Sequence, residues 1–377
     1  MAPPHTMQNR ATGRVGRTAA RRALGPRRAC PFPLSFIGFV QAPEATKAPV
    51  LGKIGRSTPF LKRKDEPDNP MKPPHSNTPI RLVERPSDPG PLIGAHMSIA
   101  GGMSRAIERA LAVRARTLQV FTRNANQWKA KRLLRADVRS FRETWARSGL
   151  RAVVAHDSYL INLASPLATL RRRSIRAFAE ELSRCEALGI PYLVTHPGAH
   201  MGRGVREGCD RVAASLNEAR AIAKAASVTV LLETVAGQGT TIGRRFEELA
   251  RIRDRVARPD LVKVCLDTCH VHAAGYDIVS ERGYDQTIQE FDDILGLEAL
   301  RAIHFNDSKT ERGSLVDRHE HIGKGYLGTK PFARMLRDAR LNAIPKLLET
   351  PKGKDGVVMD RRNLALLRRL WVEGSEG

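Results

Sequence analysis

The sequence predicts an α/β protein that forms a single (β/α)8 TIM barrel, preceded by a disordered basic N-terminal extension. From Pro91 onward, short apolar runs rich in β-forming residues alternate with longer amphipathic runs, as expected for repeated βα units. Eight such units fit into residues 91–377, whereas a doubly wound sheet would use fewer. Prolines, by contrast, are concentrated before this region. We therefore expect an extension over residues 1–90 and one barrel domain over residues 91–377.

The extension is distinguished by its proline and charge content. Residues 1–90 contain 15 of the 23 prolines, and 16 lysines and arginines against six acidic residues. They sustain no helical or alternating apolar period, which predicts disorder. Residues 1–43 contain seven arginines and no acidic residue, a composition that also fits an organellar targeting segment. There are two alternatives to a targeting segment: an unstructured basic extension, or a start of translation at Met71.

The overall composition restricts the class of protein. The formal net charge is +24 and the pI is near 10.6, which favours a polyanionic partner such as nucleic acid. The five cysteines form no C-x-x-C pair, which argues against a disulfide framework and favours a reducing compartment, so we expect a cytoplasmic protein. No run approaches ~18 consecutive apolar residues, so no membrane helix is expected.

The elements of the barrel follow in order along the chain. The eight predicted strands are Leu92–Ala95, Thr117–Phe121, Ala152–Ala155, Tyr192–Thr195, Val228–Leu232, Val262–Leu266, Arg301–Ile303 and Lys346–Leu348. Amphipathic runs rich in Ala, Leu, Arg and Glu separate them, and these residues favour helix. The clearest predicted helices are Thr169–Leu188, Arg206–Ala226 and Arg244–Val256.

Ligand-type residues stand at seven of the eight predicted strand ends. They are His96, His156, His196, Glu233, Asp267, His304 and Glu349. Only the second strand ends differently, at Phe121-Thr122. In a (β/α)8 barrel the C-terminal ends of the strands meet on one face, where active sites lie. The sequence therefore predicts a cluster of imidazoles and carboxylates on that face.

The composition of this cluster predicts a site for more than one metal ion. Imidazole and carboxylate ligands together suit zinc, with manganese or iron as less favoured alternatives, and there are too many of them for one tetrahedral ion. A carboxylate can bridge two ions about 3.5–4 Å apart, and Glu233 is central in strand order. His270, Asp317 and His319 lie in segments beyond the strands and could hold a further ion. Cys265 and Cys269 are interpreted as buried structural thiols.

Several of these segments resemble those of the endonuclease IV family of apurinic/apyrimidinic endonucleases. The resemblance covers the chain from about Leu92 to the C-terminus and leaves the extension unmatched. The matching motifs are Ile93-Gly94-Ala95-His96-Met97-Ser98 with Gly101-Gly102, His156-Asp157-Ser158-Tyr159-Leu160-Ile161-Asn162, His196-Pro197-Gly198-Ala199-His200, Glu233-Thr234-Val235-Ala236-Gly237-Gln238-Gly239, Asp267-Thr268-Cys269-His270, His304-Phe305-Asn306-Asp307 and Val316-Asp317-Arg318-His319.

The resemblance implies a trinuclear zinc site and a DNA-repair reaction. The implied ligands are His156, His196 and Glu233 for the first ion, Glu233, Asp267, His304 and Glu349 for the second, and His270, Asp317 and His319 for the third. The implied reaction is hydrolysis of the phosphodiester 5′ to an abasic site, giving a 3′-hydroxyl, accompanied by trimming of 3′ ends. Glu233 would be the catalytic residue, because it would orient the attacking hydroxide.

The resemblance also implies which residues contact DNA. Tyr159 and Leu160 match a position that fills space in a distorted duplex, and insertion is easiest where a base is missing. Asn126, Gln127 and Trp128 match the family's other intercalating loop. Some members carry arginine where this chain has Asn126, so insertion there would rest on Gln127 or Trp128, or be weaker.

The implied partner is double-stranded DNA containing abasic sites, bound by a monomer associated with the bacterial nucleoid and with no membrane contact. The alternative is a xylose isomerase-like sugar isomerase or epimerase, which shares the barrel and a similar set of strand-end ligands. Such an enzyme would have no use for a strongly basic barrel or for a third group of ligands at Asp317 and His319. A DNA-binding module without catalysis is a third option, but it leaves the nine metal-type residues unexplained.

Overall fold

The computed structural model describes residues 90–225, 227–353 and 356–373, and it confirms the closed parallel barrel. The predictions for residues 1–89, including the targeting segment, lie outside the described residues. The barrel strands are β1 (Ile93–His96), β2 (Thr117–Phe121), β3 (Ala152–His156), β4 (Tyr192–Thr195), β5 (Thr229–Glu233), β6 (Val262–Asp267), β7 (Leu300–His304) and β10 (Lys346–Leu348). Each strand pairs in parallel with its neighbours, and β10 pairs with both β7 and β1 to close the ring.

Helices cover the outside of the barrel. They are α1 (Met103–Ala112), α2 (Arg135–Ser148), α3 (Ala168–Leu188), α4 (Val205–Ala223), α5 (Phe246–Arg253), α6 (Thr268–Ala274), α7 (Glu281–Leu295), α8 (Lys330–Arg337) and α9 (Gly356–Val372). None of these helices is both long and apolar enough to span a bilayer, as far as the described residues show.

Five of the six boundaries of the three predicted helices differ from the observed ones, by one to three residues, and two of the differences have a clear local reason. The helix predicted to end at Ala226 ends at Ala223, because Lys224 adopts a left-handed backbone conformation with φ 53°. The helix predicted to start at Arg244 starts at Phe246. There the Glu248 carboxylate accepts the backbone N–H groups of Gly243 and Arg244, which holds that segment outside the helix.

The core has two layers, which separate the barrel interior from the helix contacts. Six small or branched side chains fill the interior: Val154, Val194, Leu231, Cys265, Ala302 and Leu347. The larger layer packs the outward faces of the strands against the helices. An apolar floor therefore lies beneath the C-terminal ends of the strands, which we call the rim.

A short antiparallel hairpin beyond the rim was not predicted. Strand β8 (Asp307–Ser308) pairs with β9 (His319–Glu320), with Ser308 opposite His319. Two-residue strands have no measurable period, so sequence patterning cannot detect them. The hairpin matters because it brings the loop after β7 back over the rim.

Lys346, at the start of β10, is an unusual member of the outer layer. It is 1 % exposed, and its ammonium group donates a hydrogen bond to the backbone carbonyl of Leu341. Burial lowers the pKa of Lys346 from 10.5 to about 8. The fold therefore carries an unfavourable buried charge at neutral pH.

We predict that Lys346→Leu stabilises the protein at pH 7, by roughly 1–3 kcal/mol in the free energy of unfolding. Because the folded pKa lies below the unfolded one, the penalty in the wild type is full below about pH 8. It disappears as the pH rises toward 10.5. Thermal unfolding at matched metal content, followed from pH 7 to 10, should show the two proteins converging. An advantage of the variant that does not shrink as the pH rises would contradict this explanation.

Candidate metal centre

Six of the nine predicted ligands converge at the rim because each stands at, or directly after, the last residue of a barrel strand. They form two groups whose ligand atoms all lie within 4.8 Å of one another. The first group is His156, His196 and Glu233, and the second is Glu233, Asp267, His304 and Glu349. Glu233 belongs to both groups. Six of the seven strand-end residues predicted from the sequence therefore form the cluster, whereas His96 lies 3.7 Å from Glu349 and belongs to neither group.

The third group comes from segments beyond the strands. Asp267 is the N-cap of α6, and its carboxylate accepts the backbone N–H of His270 at 2.8 Å. This cap fixes His270 in the first turn, facing the loop that the β8–β9 hairpin folds over the rim. His270, Asp317 and His319 form a group with ligand atoms within 4.8 Å. Nε2 of His270 lies 3.2 Å from Asp317, and Nε2 of His319 lies 3.4 Å from it.

Glu233 has the geometry expected of a bridging carboxylate. Its Oε2 lies 3.1 Å from Nε2 of His156 and 3.2 Å from Nε2 of His196. Its Oε1 lies 3.0 Å from Nδ1 of His304. The two oxygens therefore face different groups of ligands. Because the side chain is fully buried, bulk water does not compete for them.

The histidine tautomers leave lone pairs that face carboxylates. The Nδ1–H of His156 donates to the backbone carbonyl of Asp157 (2.9 Å). The Nδ1–H of His270 donates to the backbone carbonyl of Thr234 (2.8 Å). The Nδ1–H of His319 points to the carbonyl of Glu349 (3.3 Å). The Nε2 atom of each ring then carries a lone pair, and it faces a carboxylate oxygen, which is also an acceptor. The Nε2 atoms of His270 and His319 are buried without a hydrogen-bond partner. Such a contact is stable only with a cation or proton between the two atoms, so the residues fit a metal site.

The electrostatics of the cluster point the same way. Burial alone would lower the pKa of His156, but the hydrogen bond and charge of Glu233 outweigh it and raise the pKa to about 9. Burial likewise opposes protonation of His270, yet Asp267 and Asp317 hold its pKa well above 6.5. The cluster therefore has a strongly negative potential that attracts protons or, in their place, divalent cations.

The two cysteines beside the cluster remain neutral thiols. Burial raises the pKa of both Cys265 and Cys269 to about 12. Cys265 is part of the apolar barrel interior, and the Cys269 thiol points to the backbone carbonyl of Arg318 at 3.6 Å. The position of Cys265 agrees with the interpretation as a structural thiol. Cys269 differs, because its Sγ lies within 4.8 Å of ligand atoms of Asp267 and His319 and forms a further group of possible ligands with them.

Gln119 is a site residue that the sequence analysis missed. Its side-chain oxygen accepts from Nε2 of His304 at 2.8 Å, and its amide nitrogen donates to the carboxylate of Glu349. The second strand, whose end lacks a ligand, thus contributes a positioning group two residues before that end. The available signal was a polar residue inside an otherwise apolar strand, but a neutral amide is not a typical metal ligand.

Asn306 and Asp307 were present in a recognised motif without an assigned role. Asn306 donates to Asp267 at 2.6 Å and accepts the backbone N–H of Glu349 at 2.8 Å. The Asp307 carboxylate accepts four backbone N–H groups, including those of Gly323 and Gly325, which pins the loop that follows β9. At Gly325 any Cβ would lie 2.1 Å from the carbonyl oxygen of Ser308, so only glycine fits there.

The predicted DNA-contact residues lie on two loops next to the rim. Tyr159 is 57 % exposed and stands edge-on to Phe121 at 5.3 Å, whereas Leu160 is half-buried. Asn126 and Gln127 are exposed. Trp128 is half-buried against the core, so in this loop it is the least available for insertion.

Comparison with known proteins identifies close relatives. A family model described as a xylose isomerase-like TIM barrel matches residues 107–370. The chain is 48 % identical over 286 residues to a probable endonuclease 4 of Chloroflexus aurantiacus, a match that covers 76 % of this chain and all of the relative. The crystal structure of endonuclease IV from Thermus thermophilus is similar with a TM-score of 0.68 and 35 % identity, over 75 % of this chain and all of that one.

A xylose isomerase domain protein from Planctomyces limnophilus is also similar, with a TM-score of 0.55 and 18 % identity. The match covers 77 % of this chain and all of the other. At that level of identity the similarity extends to the fold alone.

We predict that Gln119→Leu weakens metal binding by roughly 10–100-fold without unfolding the barrel, because His304 and Glu349 lose their common anchor. Competition with a chromophoric zinc chelator measures the affinity. The control is Gln289→Leu, the same substitution at an exposed position of α7. Equal affinities for the two variants would show that Gln119 does not position the ligands.

Proposed function

The chain belongs to the endonuclease IV family of apurinic/apyrimidinic endonucleases, and from this premise we propose how its site acts on damaged DNA. In this proposal the chain hydrolyses the phosphodiester on the 5′ side of an abasic site in double-stranded DNA and leaves a 3′-hydroxyl. Trimming of blocked 3′ ends is the same phosphodiester chemistry in the same site. We further propose that the protein acts as a monomer with the nucleoid in the bacterial cytoplasm, since one chain supplies every ligand.

One observation carries the proposal. Three of the four groups of possible metal ligands among the described residues contain the same nine residues, in the same division, that the family resemblance assigns to three zinc ions. The fourth group, Asp267, Cys269 and His319, reuses two of these residues and adds a thiol. The sugar isomerase alternative rests on the barrel and on strand-end ligands of similar type, and the isomerase-like structure is only 18 % identical. The relative named endonuclease is 48 % identical over its whole length. The DNA-repair function is therefore favoured.

In the proposed site the first group of ligands holds one zinc ion, the second group a second, and the third group a third, with manganese able to replace part of the zinc. When bound, these ions would supply Lewis-acid charge, which activates water and stabilises negative charge on the phosphate oxygens. Glu233 would orient the water that attacks phosphorus, because its two oxygens face both of the first two groups. Gln119 and Asn306 would keep His304, Asp267 and Glu349 in place.

We propose that Tyr159 is the main wedge in the DNA. Its ring is exposed at the rim, and its contact with Phe121 limits the freedom it loses on binding. At an abasic site no base must be unstacked, so an inserted ring meets less resistance there. In the neighbouring loop we assign insertion to Gln127 and Asn126, and support of that loop to Trp128. Leu160 would pack beneath Tyr159.

We predict that Glu233→Gln lowers the rate of incision by at least ~10³-fold while the protein stays folded and binds an abasic duplex. The amide cannot provide the negative charge shared by two groups of ligands. Single-turnover incision of a duplex containing one abasic-site analogue, with and without chelator, gives the rate.

Glu247→Gln serves as the control, because it is the same change at an exposed position of α5. Near-normal cleavage by Glu233→Gln, or wild-type cleavage that survives the chelator, would refute the metal-dependent assignment.

We predict that Tyr159→Ala weakens binding to an abasic duplex at least several-fold more than binding to an intact duplex, because only the damaged duplex admits the ring. Tyr159→Phe keeps the ring and its contact with Phe121, and should remain close to wild type. Fluorescence anisotropy on matched duplexes measures both affinities. Equal losses of Tyr159→Ala on the two duplexes would indicate ordinary surface packing instead.

A further inference from the structure

We propose that a basic groove beside the rim binds the phosphate backbone of the DNA outside the incision site. The groove lies between the loop after β2 and the first turns of α3, and it encloses about 430 Å3. Its lining residues are Trp128, Thr169, Arg172, Arg173, Arg176, Ala177 and Glu180. None of them belongs to the three groups of metal ligands. The proposal rests on the DNA substrate proposed above and names an additional contact for it.

The arginines of the groove concentrate positive charge on one face of α3. Arg172, Arg173 and Arg176 are all exposed; the first two are adjacent, and Arg176 lies about one turn further along the helix. Arg172 and Arg176 are four residues apart, so their side chains are neighbours that repel each other. A bound anion removes this repulsion, and guanidinium groups match the geometry of phosphate oxygens.

The single carboxylate in the groove already has a cationic partner outside it. Glu180 lies 3.2 Å from the guanidinium of Arg123, which also pairs with the buried Glu181 at 2.8 Å. In the part of the chain that the structure describes, neither Arg172 nor Arg176 forms an ion pair with a carboxylate. Their charge is thus available to a ligand.

The groove is mechanically tied to the proposed DNA-binding loops. The Arg173 guanidinium lies 4.3 Å from the centre of the Trp128 ring, a cation–π contact that joins α3 to the loop. Arg123 also donates to the backbone carbonyl of Trp128 at 3.2 Å.

The loop after β2 that contains Trp128 also carries the exposed Asn126 and Gln127. The hydroxyl of Ser158, the residue before Tyr159, donates a hydrogen bond to the backbone carbonyl of Ala125 in this loop. A duplex seated on these loops therefore continues over the groove.

These features favour the DNA backbone as the ligand. Phosphate contacts position a duplex without reading its sequence, which suits an enzyme that must act at lesions in any sequence. The double variant Arg172→Ala/Arg176→Ala tests this, and Arg173 is left in place because it packs on Trp128. Steady-state incision by the metal-loaded enzyme is measured at a series of salt concentrations, on abasic duplexes of about 10 and about 30 base pairs. Only the longer duplex extends far enough from the lesion to reach the groove.

On the long duplex we expect KM to rise roughly tenfold with kcat unchanged, and the slope of log kcat/KM against log salt to fall by about 1–2. On the short duplex both variant and wild type should be similar. The control Arg282→Ala/Arg337→Ala removes the same charge from exposed positions of α7 and α8. Unfolding temperatures should match throughout.

An unchanged salt slope, an equal loss on the short duplex, or an equal loss in the control would overturn the groove as a phosphate site. If the wild type incises normally in those cases, the proposed function stands and only the groove is refuted. If the wild type does not incise at all, the proposed function fails. Anisotropy on an intact long duplex then still tests the groove by the same comparison of variants.

Discussion

Uncompensated negative charge at the mouth of the barrel is the constraint on which the rest of the structure depends. Glu233 and Asp267 are fully buried above an apolar floor. Imidazole lone pairs of His156 and His304 face Glu233, and the two hydrogen bonds that Asp267 accepts, from His270 and Asn306, come from uncharged amide groups. Buried charges of this kind are tolerated only when a cation is held among them. The strand ends, the cap of α6 and the β8–β9 hairpin all aim their ligands at this one region, so the architecture is organised around cations.

The same cations reconcile two opposite charge patterns. Residues 91–377 carry 47 lysines and arginines against 33 acidic residues, yet the centre of the rim is acidic. Alone, an acidic centre would repel the phosphates that the basic surroundings attract. Divalent ions reverse the local sign, so the centre and the surrounding surface then attract the same backbone. Metal loading is therefore expected to control DNA binding as well as catalysis.

The sequence predicted most of this because barrel geometry converts strand ends into neighbours. His156, Glu233 and Asp267 were identifiable from position and residue type alone. Gln119 was not, since a neutral amide inside a strand carries no ligand signal. Neither the β8–β9 hairpin nor the burial of Lys346 was foreseeable, because both depend on long-range packing that leaves no periodic trace. The assignment of His270, Asp317 and His319 to one ion came from family resemblance, and the hairpin supplies its physical reason.

The central claim is that the rim holds three divalent cations at once. Elemental analysis by mass spectrometry on fully active protein, combined with native mass spectrometry of the intact chain, measures this number directly. We expect three metal equivalents, mainly zinc, in the wild type and about two in His319→Ala, since the third group shares no ligand with the first two. Two or fewer equivalents in a wild-type preparation with full incision activity would contradict the account.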